Sequence, residues 1–344
     1  MSNEANRVPN CAPAPNLFAY ATSELSQDAF ICWLIKWSEN ASDPELRGLG
    51  HRFVNAMMSK WGGPEVKEIS KAEVERQNNH IDVLACINDR HVLLIEDKTH
   101  TGKKSGNQLN DYRQAVIDGK TPFKIKSEED LFGIFLKTGN QSLASKREIE
   151  KEYPYKVFDR DDFLEVLETY QGDNAIVLDF RQHLTAMKEE CQQFHSWEEH
   201  KIDNWTWGAW QGLFMELEKQ LSDAEWLGWD SVPNPAGGFL GLWWRPNGMP
   251  EDCTVKLQLE NDKLCFKLDL YDLPNEKKWE WCERITSQSE LAVKPGKMGS
   301  GKVVTVAVYK DGWIRFDGRG VLDINKTVEV LRSAEKILVK AAKN

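Results

Sequence analysis

Asp82, Glu96 and Lys98 are the residues of this chain best placed to do chemistry. Two apolar runs, Ile81–Ile87 (IDVLACI) and His91–Ile95 (HVLLI), flank Asn88-Asp89-Arg90, which predicts two strands joined by a hairpin turn. A hairpin brings the outer ends of its arms together, so Asp82 is expected beside Glu96. Side chains at i and i+2 share a strand face. Glu96 and Lys98 therefore point one way and Asp97 the other. The expected result is two carboxylates and an amine at the mouth of a sheet. Facing carboxylates repel unless something neutralises them. A hard divalent cation such as Mg2+ does so while keeping several waters and using one or two carboxylates. Such an ion activates a water and stabilises charge on a phosphate. Lys98 would orient that water or steady the developing negative charge. The plainer reading is an ion-pair ladder across an exposed hairpin. Strands this apolar argue against it.

The elements around these residues set the fold. Phe30, Trp33, Leu34 and Trp37 have the spacing of a buried helix face, with Ser23 or Thr22 at its start. A second helix begins at Asp43-Pro44, carries Leu46, Leu49, Phe53, Met57 and Trp61 on one side, and ends at Gly62-Gly63. Val66–Arg76 reads as a strand ahead of the hairpin. Helical spacing over Asn107–Ile117, apolar runs at 131–136 and 155–158, and helices over 161–170 and 175–193 follow. Helices mixed with strands in this order predict an α/β layer fold with a mixed sheet.

Asp82, thirteen residues, then Glu96-Asp97-Lys98 resembles the PD-(D/E)XK nuclease superfamily, as does the order of helix, three antiparallel strands, helix and parallel strand. Within it the chain is similar to the bacterial group described only as PD-(D/E)XK nuclease family proteins. Ile81 replaces the family's proline, and Asp97 is an unusual charged residue between Glu96 and Lys98. Asp97 is expected to pair with a cation or to face solvent. The resemblance covers about residues 16–170. It implies a restriction-endonuclease-like mixed sheet flanked by helices. It also implies that Glu24, in the opening helix, joins Asp82 and Glu96 at the metal, and that Gln108 of Asn107-Gln108-Leu109 with Tyr112 assists phosphate or water placement. The implied reaction is Mg2+-dependent hydrolysis of DNA, with Mn2+ able to substitute, in defence against foreign DNA, restriction or repair. Enzymes that cut both strands pair two sites, so a homodimer is the implied assembly. Two readings stand beside this one: a ribonuclease, and a catalytically inactive sensor that keeps the fold and acts through its C-terminal part on a protein partner or activator.

Composition bounds the rest. The chain has 344 residues, and at about 150 residues per domain two domains are expected. Eleven of the 14 tryptophans follow residue 195, which puts a boundary near 194. The expected domains are 16–194, the nuclease-like part, and 195–344, a Trp-rich α+β part of unknown role. In the latter, Asn261-Asp262 and Lys310-Asp311-Gly312 each predict a hairpin, the second with arms 303–309 and 313–316, and 327–342 a closing helix. Trp205, Trp207, Trp210, Trp226, Trp229, Trp243 and Trp244 suit a core and packing interface, with base stacking as the alternative. Adjacent Trp243 and Trp244 must face opposite ways, so one is expected to cover a partner surface.

The net charge of −10 argues against coating nucleic acid through overall charge. It leaves room for a local basic groove. From Lys98 to Lys126 there are seven basic and two acidic residues, and Lys103, Lys104 and Arg113 are the expected phosphate contacts. Seven cysteines with no C-x-x-C pair fit neither structural zinc nor a disulfide framework. Gly296-Lys297-Met298-Gly299-Ser300-Gly301-Lys302 matches a phosphate-loop pattern but has Val303 where Ser or Thr is needed, and a strand follows. A hairpin loop is the expected form. His195 and His200 lack a third metal ligand. No apolar stretch reaches membrane-spanning length, and the polar start carries no leader pattern, so the cytoplasm is the expected location.

Overall fold

The computed structural model of the chain describes residues 14–99, 107–233, 238–251, 253–260, 262–271 and 273–343. They form two compact units. The first runs to Gly139 and resumes over Tyr155–Ala186; the second takes Asn140–Pro154 and continues from Met187.

The first unit is built on a five-stranded mixed sheet. Its strands are β1 (Ala72–Asn78), β2 (Ile81–Ile87), β3 (His91–Lys98), β4 (Leu131–Lys137) and β5 (Lys156–Asp159), in that spatial order. β1, β2 and β3 pair antiparallel, whereas β3, β4 and β5 run parallel. The sheet is therefore a hairpin meander joined to a parallel half, and β3 lies at the join. Strands covered on both faces read as continuous apolar runs, and all eight residues of β3 are buried. Helices α1 (Glu24–Trp37), α2 (Pro44–Ser59), α3 (Gln108–Ile117), α5 (Arg160–Glu168) and much of α6 (Ala175–Gln192) complete this unit.

Caps read from the sequence are present. Ser23 Oγ accepts from Ser26 N at the start of α1. Asp43 accepts from Glu45 N and Leu46 N, with Pro44 leading α2. Such caps each satisfy donors that the first turn leaves open. Gly50 lets α2 touch α1: a Cβ there would stand 2.6 Å from Ser38 N and 2.7 Å from Leu34 O. Phe18, Phe30, Phe163 and Phe180 form an aromatic core, with Phe30 and Phe180 centroids 4.1 Å apart. The buried side of α1 is Gln27, Asp28, Phe30, Ile31, Leu34 and Ile35, so the stripe lies one residue round from the expected one. Trp33 and Trp37 are half-buried at its edge.

Two expectations for strands fail. Residues 66–71 are not part of β1. Asn55 brackets Val66 through both its N–H and its carbonyl, and Asn88 Oδ1 accepts from Ser70 N and Lys71 N. Residues 313–316 do not pair with β11 (Val303–Tyr309), because its two edges are taken by β9 (Lys263–Asp269) and β10 (Ala292–Val293).

The second unit holds a six-stranded, all-antiparallel sheet of order β10-β11-β9-β8-β7-β6, where β6 is Trp226–Val232, β7 Phe239–Arg245 and β8 Val255–Glu260. Helices α7 (Trp207–Gln220), α8 (Lys277–Thr286) and α9 (Ile324–Lys343) pack on it. Helix α4 (Leu143–Glu152), from the connection between β4 and β5, also belongs to this unit. Most of the tryptophans are core. Trp197 and Trp205 stack at 3.4 Å, and Trp210 lies against Trp205 and Trp313. Trp229 and Trp244 each donate to a buried carboxylate, Glu218 and Glu335, at 2.9 and 2.8 Å. Trp207 and Trp226 are exposed, and Trp243 is half-buried. Residues 294–302 form a loop entering β11, with no helix after the glycines. Among the described residues no helix is long and apolar enough to cross a membrane.

Candidate active site

The register of the β2–β3 hairpin places Val83 opposite Ile95, so Asp82 stands opposite Glu96 one position further out. Both belong to the end of the sheet where β3 passes from its antiparallel to its parallel neighbour. Lys98 follows two residues on, and its ammonium is the hub of the site. It lies 2.7 Å from Glu96 Oε1, 3.2 Å from Asp82 Oδ2 and 3.8 Å from Glu24 Oε2. Glu24 reaches the group from the first turn of α1, and Thr99 N donates to its Oε1 at 3.4 Å. Three carboxylates from three elements thus meet on one amine. The amine also donates to Asp97 O at 2.6 Å, and Asp97 N donates to Asp82 Oδ2 at 2.9 Å. The peptide of Asp97 is therefore part of the clamp on both Asp82 and Lys98.

The electrostatics follow from burial. Burial, followed by the charge of Asp82, pushes the Glu96 carboxyl up to about 7, against the hydrogen bond and charge of Lys98. Burial works against the Lys98 charge, but Glu96, then Asp82 and Glu24, outweigh it and hold the amine above its usual range. Glu96 Oε2 is buried with no hydrogen-bond partner, an unusual state for a polar atom.

Behind the strand lies a second group. Asp97 points away from Glu96 and Lys98, yet it meets neither a cation nor solvent. It is fully buried, as is Asp28 of α1. Gln27 Nε2 donates to Asp97 Oδ1 at 2.5 Å, and Thr138 Oγ1 donates to Gln27 Oε1 at 2.6 Å. The Asp28 charge acts on the Asp97 carboxyl. Asp28 Oδ1 and Asp97 Oδ2 are both buried with no hydrogen-bond partner, which favours the uncharged acids. Burial, with the neighbouring acid charges, pushes Asp28 up to about 6 and Asp97 well above the carboxylate range. Gln77 Nε2 ties this pair to the front, donating to Asp28 Oδ2 and to Asp82 Oδ1, each at 3.0 Å. It does so from a left-handed backbone position, φ 54°, which non-glycine residues adopt at some cost.

The other residues singled out in the sequence are placed differently. Gln108, at the start of α3, donates to the Tyr112 hydroxyl, and among the described residues it makes no hydrogen bond to the three carboxylates. Arg113 is held by the Leu131 carbonyl at 3.4 Å and by Glu128 at 3.3 Å. Lys103 and Lys104 lie outside the described residues. Asp28, Gln27 and Gln77 were not marked by motif. The signal for the first two was their place on the apolar side of the opening helix, three or four residues before Ile31.

Among the described residues no three His, Cys, Asp or Glu side chains already stand as a metal-holding group, because the three carboxylates are turned to Lys98. The donor set itself fits a hard divalent ion. It offers carboxylate oxygens only, and one of them, Glu96 Oε2, is buried and unclaimed.

The family model described as the PD-(D/E)XK nuclease superfamily matches residues 15–204. No curated protein matches the chain. No solved structure matches it either.

Proposed function

The chain belongs to the PD-(D/E)XK nuclease superfamily, and from that premise we propose that it hydrolyses phosphodiester bonds in DNA with the help of Mg2+, for which Mn2+ can substitute. The observation that carries this reading is the meeting of Glu24, Asp82 and Glu96 on the Lys98 ammonium. Asp82 and Glu96 would hold the metal, with Glu24 in support. When bound, the metal supplies an acidified water and charge stabilisation at the phosphate. Lys98 orients the attacking water and steadies negative charge as it builds on the phosphate. The Asp97 peptide keeps Lys98 and Asp82 in register, and Gln77 fixes the second oxygen of Asp82. Defence against foreign DNA is the role we attach to this activity, on the family resemblance alone, and a homodimer is the assembly for cutting both strands.

Plasmid DNA incubated with the protein tests the reading. Nicking or linearisation with Mg2+ or Mn2+, absent in EDTA and absent for Asp82→Ala, is expected. Equal cleavage by Asp82→Ala would refute the site.

One observation favours a second reading. Lys98 contacts all three carboxylates and offsets part of their charge, an arrangement that a catalytically inactive sensor acting through its second unit would also keep. Metal uptake separates the two. A nuclease site takes up Mn2+ in calorimetry and loses that uptake with Asp82→Ala.

The pH dependence of that uptake has a fixed sign. A carboxyl with a raised pKa holds its proton to higher pH, and a metal must displace it. With Glu96 at about 7, Mn2+ affinity is expected to fall about tenfold for each pH unit below 7 and to level off above it. Proton release on binding should approach one per ion below pH 7 and vanish above it. An affinity flat between pH 5.5 and 7 would show that no ligand of the metal carries a pKa raised to about 7 and would overturn this account of Glu96.

A further inference from the structure

The second unit carries an exposed surface of aromatic rings and lysines that the nuclease reading does not use. Three segments meet on it: Tyr271 just after β9, the first turn of α8, and the loop entering β11. Leu270 N donates to Lys302 O at 2.7 Å, and Lys302 Nζ lies 4.8 Å from the Tyr271 ring centroid. Lys278 Nζ donates to Gly299 O at 3.4 Å and lies 6.0 Å from the Trp279 ring. Contact therefore runs without a break from Tyr271 through Lys302 and the loop to Lys278 and Trp279. Tyr271 is 61% exposed and Trp279 54%. The rest of α8 is anchored, with Trp281, Cys282 and Ile285 buried, so Trp279 is held outward by a fixed helix.

Positive charge is confined to the loop. From Leu291 to Val303 the chain has Lys294, Lys297 and Lys302 and no acidic residue, although the whole chain carries −10. The other two segments carry acids: Asp269 Oδ1 accepts from Tyr271 N at 3.1 Å, and of Glu276, Glu280 and Glu283 at α8, Glu280 is paired with Lys277 and Arg284.

We propose that this surface binds single-stranded DNA. Aromatic side chains left in water with ammonium groups beside them suit unstacked bases and the phosphates that link them. A duplex offers phosphates but keeps its base faces stacked, so Tyr271 and Trp279 would find nothing to cover. Binding would take phosphates on Lys278, Lys297 and Lys302 and bases on Tyr271 and Trp279. The inference deepens the proposed substrate and rests on that reading for its choice of DNA.

The test uses the full chain carrying Lys98→Ala, in EDTA, so that nothing is cut. Anisotropy is read with a labelled oligothymidine and a duplex of equal length, over a range of salt. The single strand is expected to bind more tightly. Tyr271→Ala with Trp279→Ala should weaken it at least tenfold, the scale of one lost stack, and leave duplex binding unchanged. Lys297→Gln with Lys302→Gln should flatten the salt dependence by about 0.7 per lost phosphate contact. All four residues are exposed, and an unchanged melting temperature confirms that the fold survives. Duplex preference, absence of single-strand binding, or variants that bind like the parent overturn the proposal. Plasmid cleavage is read separately with Lys98 restored. Cleavage without patch-dependent strand binding removes this surface and spares the nuclease. Patch-dependent binding with no cleavage in either metal does the reverse.

Discussion

Lys98→Ala is expected to cut plasmid DNA at least about 100-fold more slowly than the wild type, the scale of losing one preorganised donor to developing charge. The reason lies in what the ammonium touches. It is nearly wholly buried and bridges Glu96, Asp82 and Glu24 while donating to the Asp97 carbonyl. Its removal leaves Glu96 and Asp82 facing each other with no cation. The metal-free variant should therefore also lose stability, by about 3–5 kcal/mol, as when one partner of a buried pair is deleted, with the larger loss at the higher pH, where an ionised Glu96 has no cation beside it. Lys98→Arg should not rescue cleavage, since a planar fork does not fill the place of a compact ammonium. Quantified single-turnover cleavage and urea unfolding at pH 6 and pH 8 measure both effects. A Lys98→Ala protein that cuts at the wild-type rate would end the proposed role.

Asp97→Asn is expected to stabilise the metal-free protein at pH 8 by about 1–3 kcal/mol, the scale of a buried unsatisfied polar group, and to change little at pH 4. The folded carboxyl is held well above the carboxylate range by burial, with Asp28 adding to the effect. A group with a raised folded pKa binds its proton in the folded chain and not in the unfolded one. Stability therefore falls as pH rises from the unfolded pKa through the folded one. Asparagine keeps the geometry of the protonated acid: its oxygen accepts from Gln27 and its amide donates to Asp28. It needs no proton, so its advantage grows with pH. Thermal unfolding at the two pH values decides the matter, and an equal shift at both would refute the raised Asp97 pKa. Asp97→Leu removes the hydrogen bonds altogether and should lose stability at either pH.

The front of the site was legible because strand alternation is rigid. Once β2 and β3 were read from IDVLACI and HVLLI, Asp82 had to face Glu96, and Glu96 and Lys98 had to share a side. What alternation could not say is what stood behind the strand. Asp97 was expected to find a cation or water, and it found Asp28, a residue 69 positions earlier that only the packing of α1 could bring there. The expected strand over 66–76 began late because side chains of Asn55 and Asn88 satisfied the backbone first. Helix α4 escaped notice for a simpler reason. Its sequence, LASKREIEKE, buries Ile149 alone and offers no apolar stripe to read.

That same helix orders events in time. Leu143 N donates to both oxygens of Glu218, which lies 75 residues later in the chain. At about 5–20 residues per second, the ribosome delivers Glu218 on the order of 4–15 s after Leu143. In the later part of that interval α4 clears the exit tunnel while Glu218, near the end of α7, and all of β6 are still unmade. Strands β4 and β5, which flank it in sequence, must come together around a crossover that is not yet anchored. The segment between β4 and β5 is thus made before the rest of the unit it belongs to, and a chain stalled near residue 200 would hold α4 with its seat still untranslated.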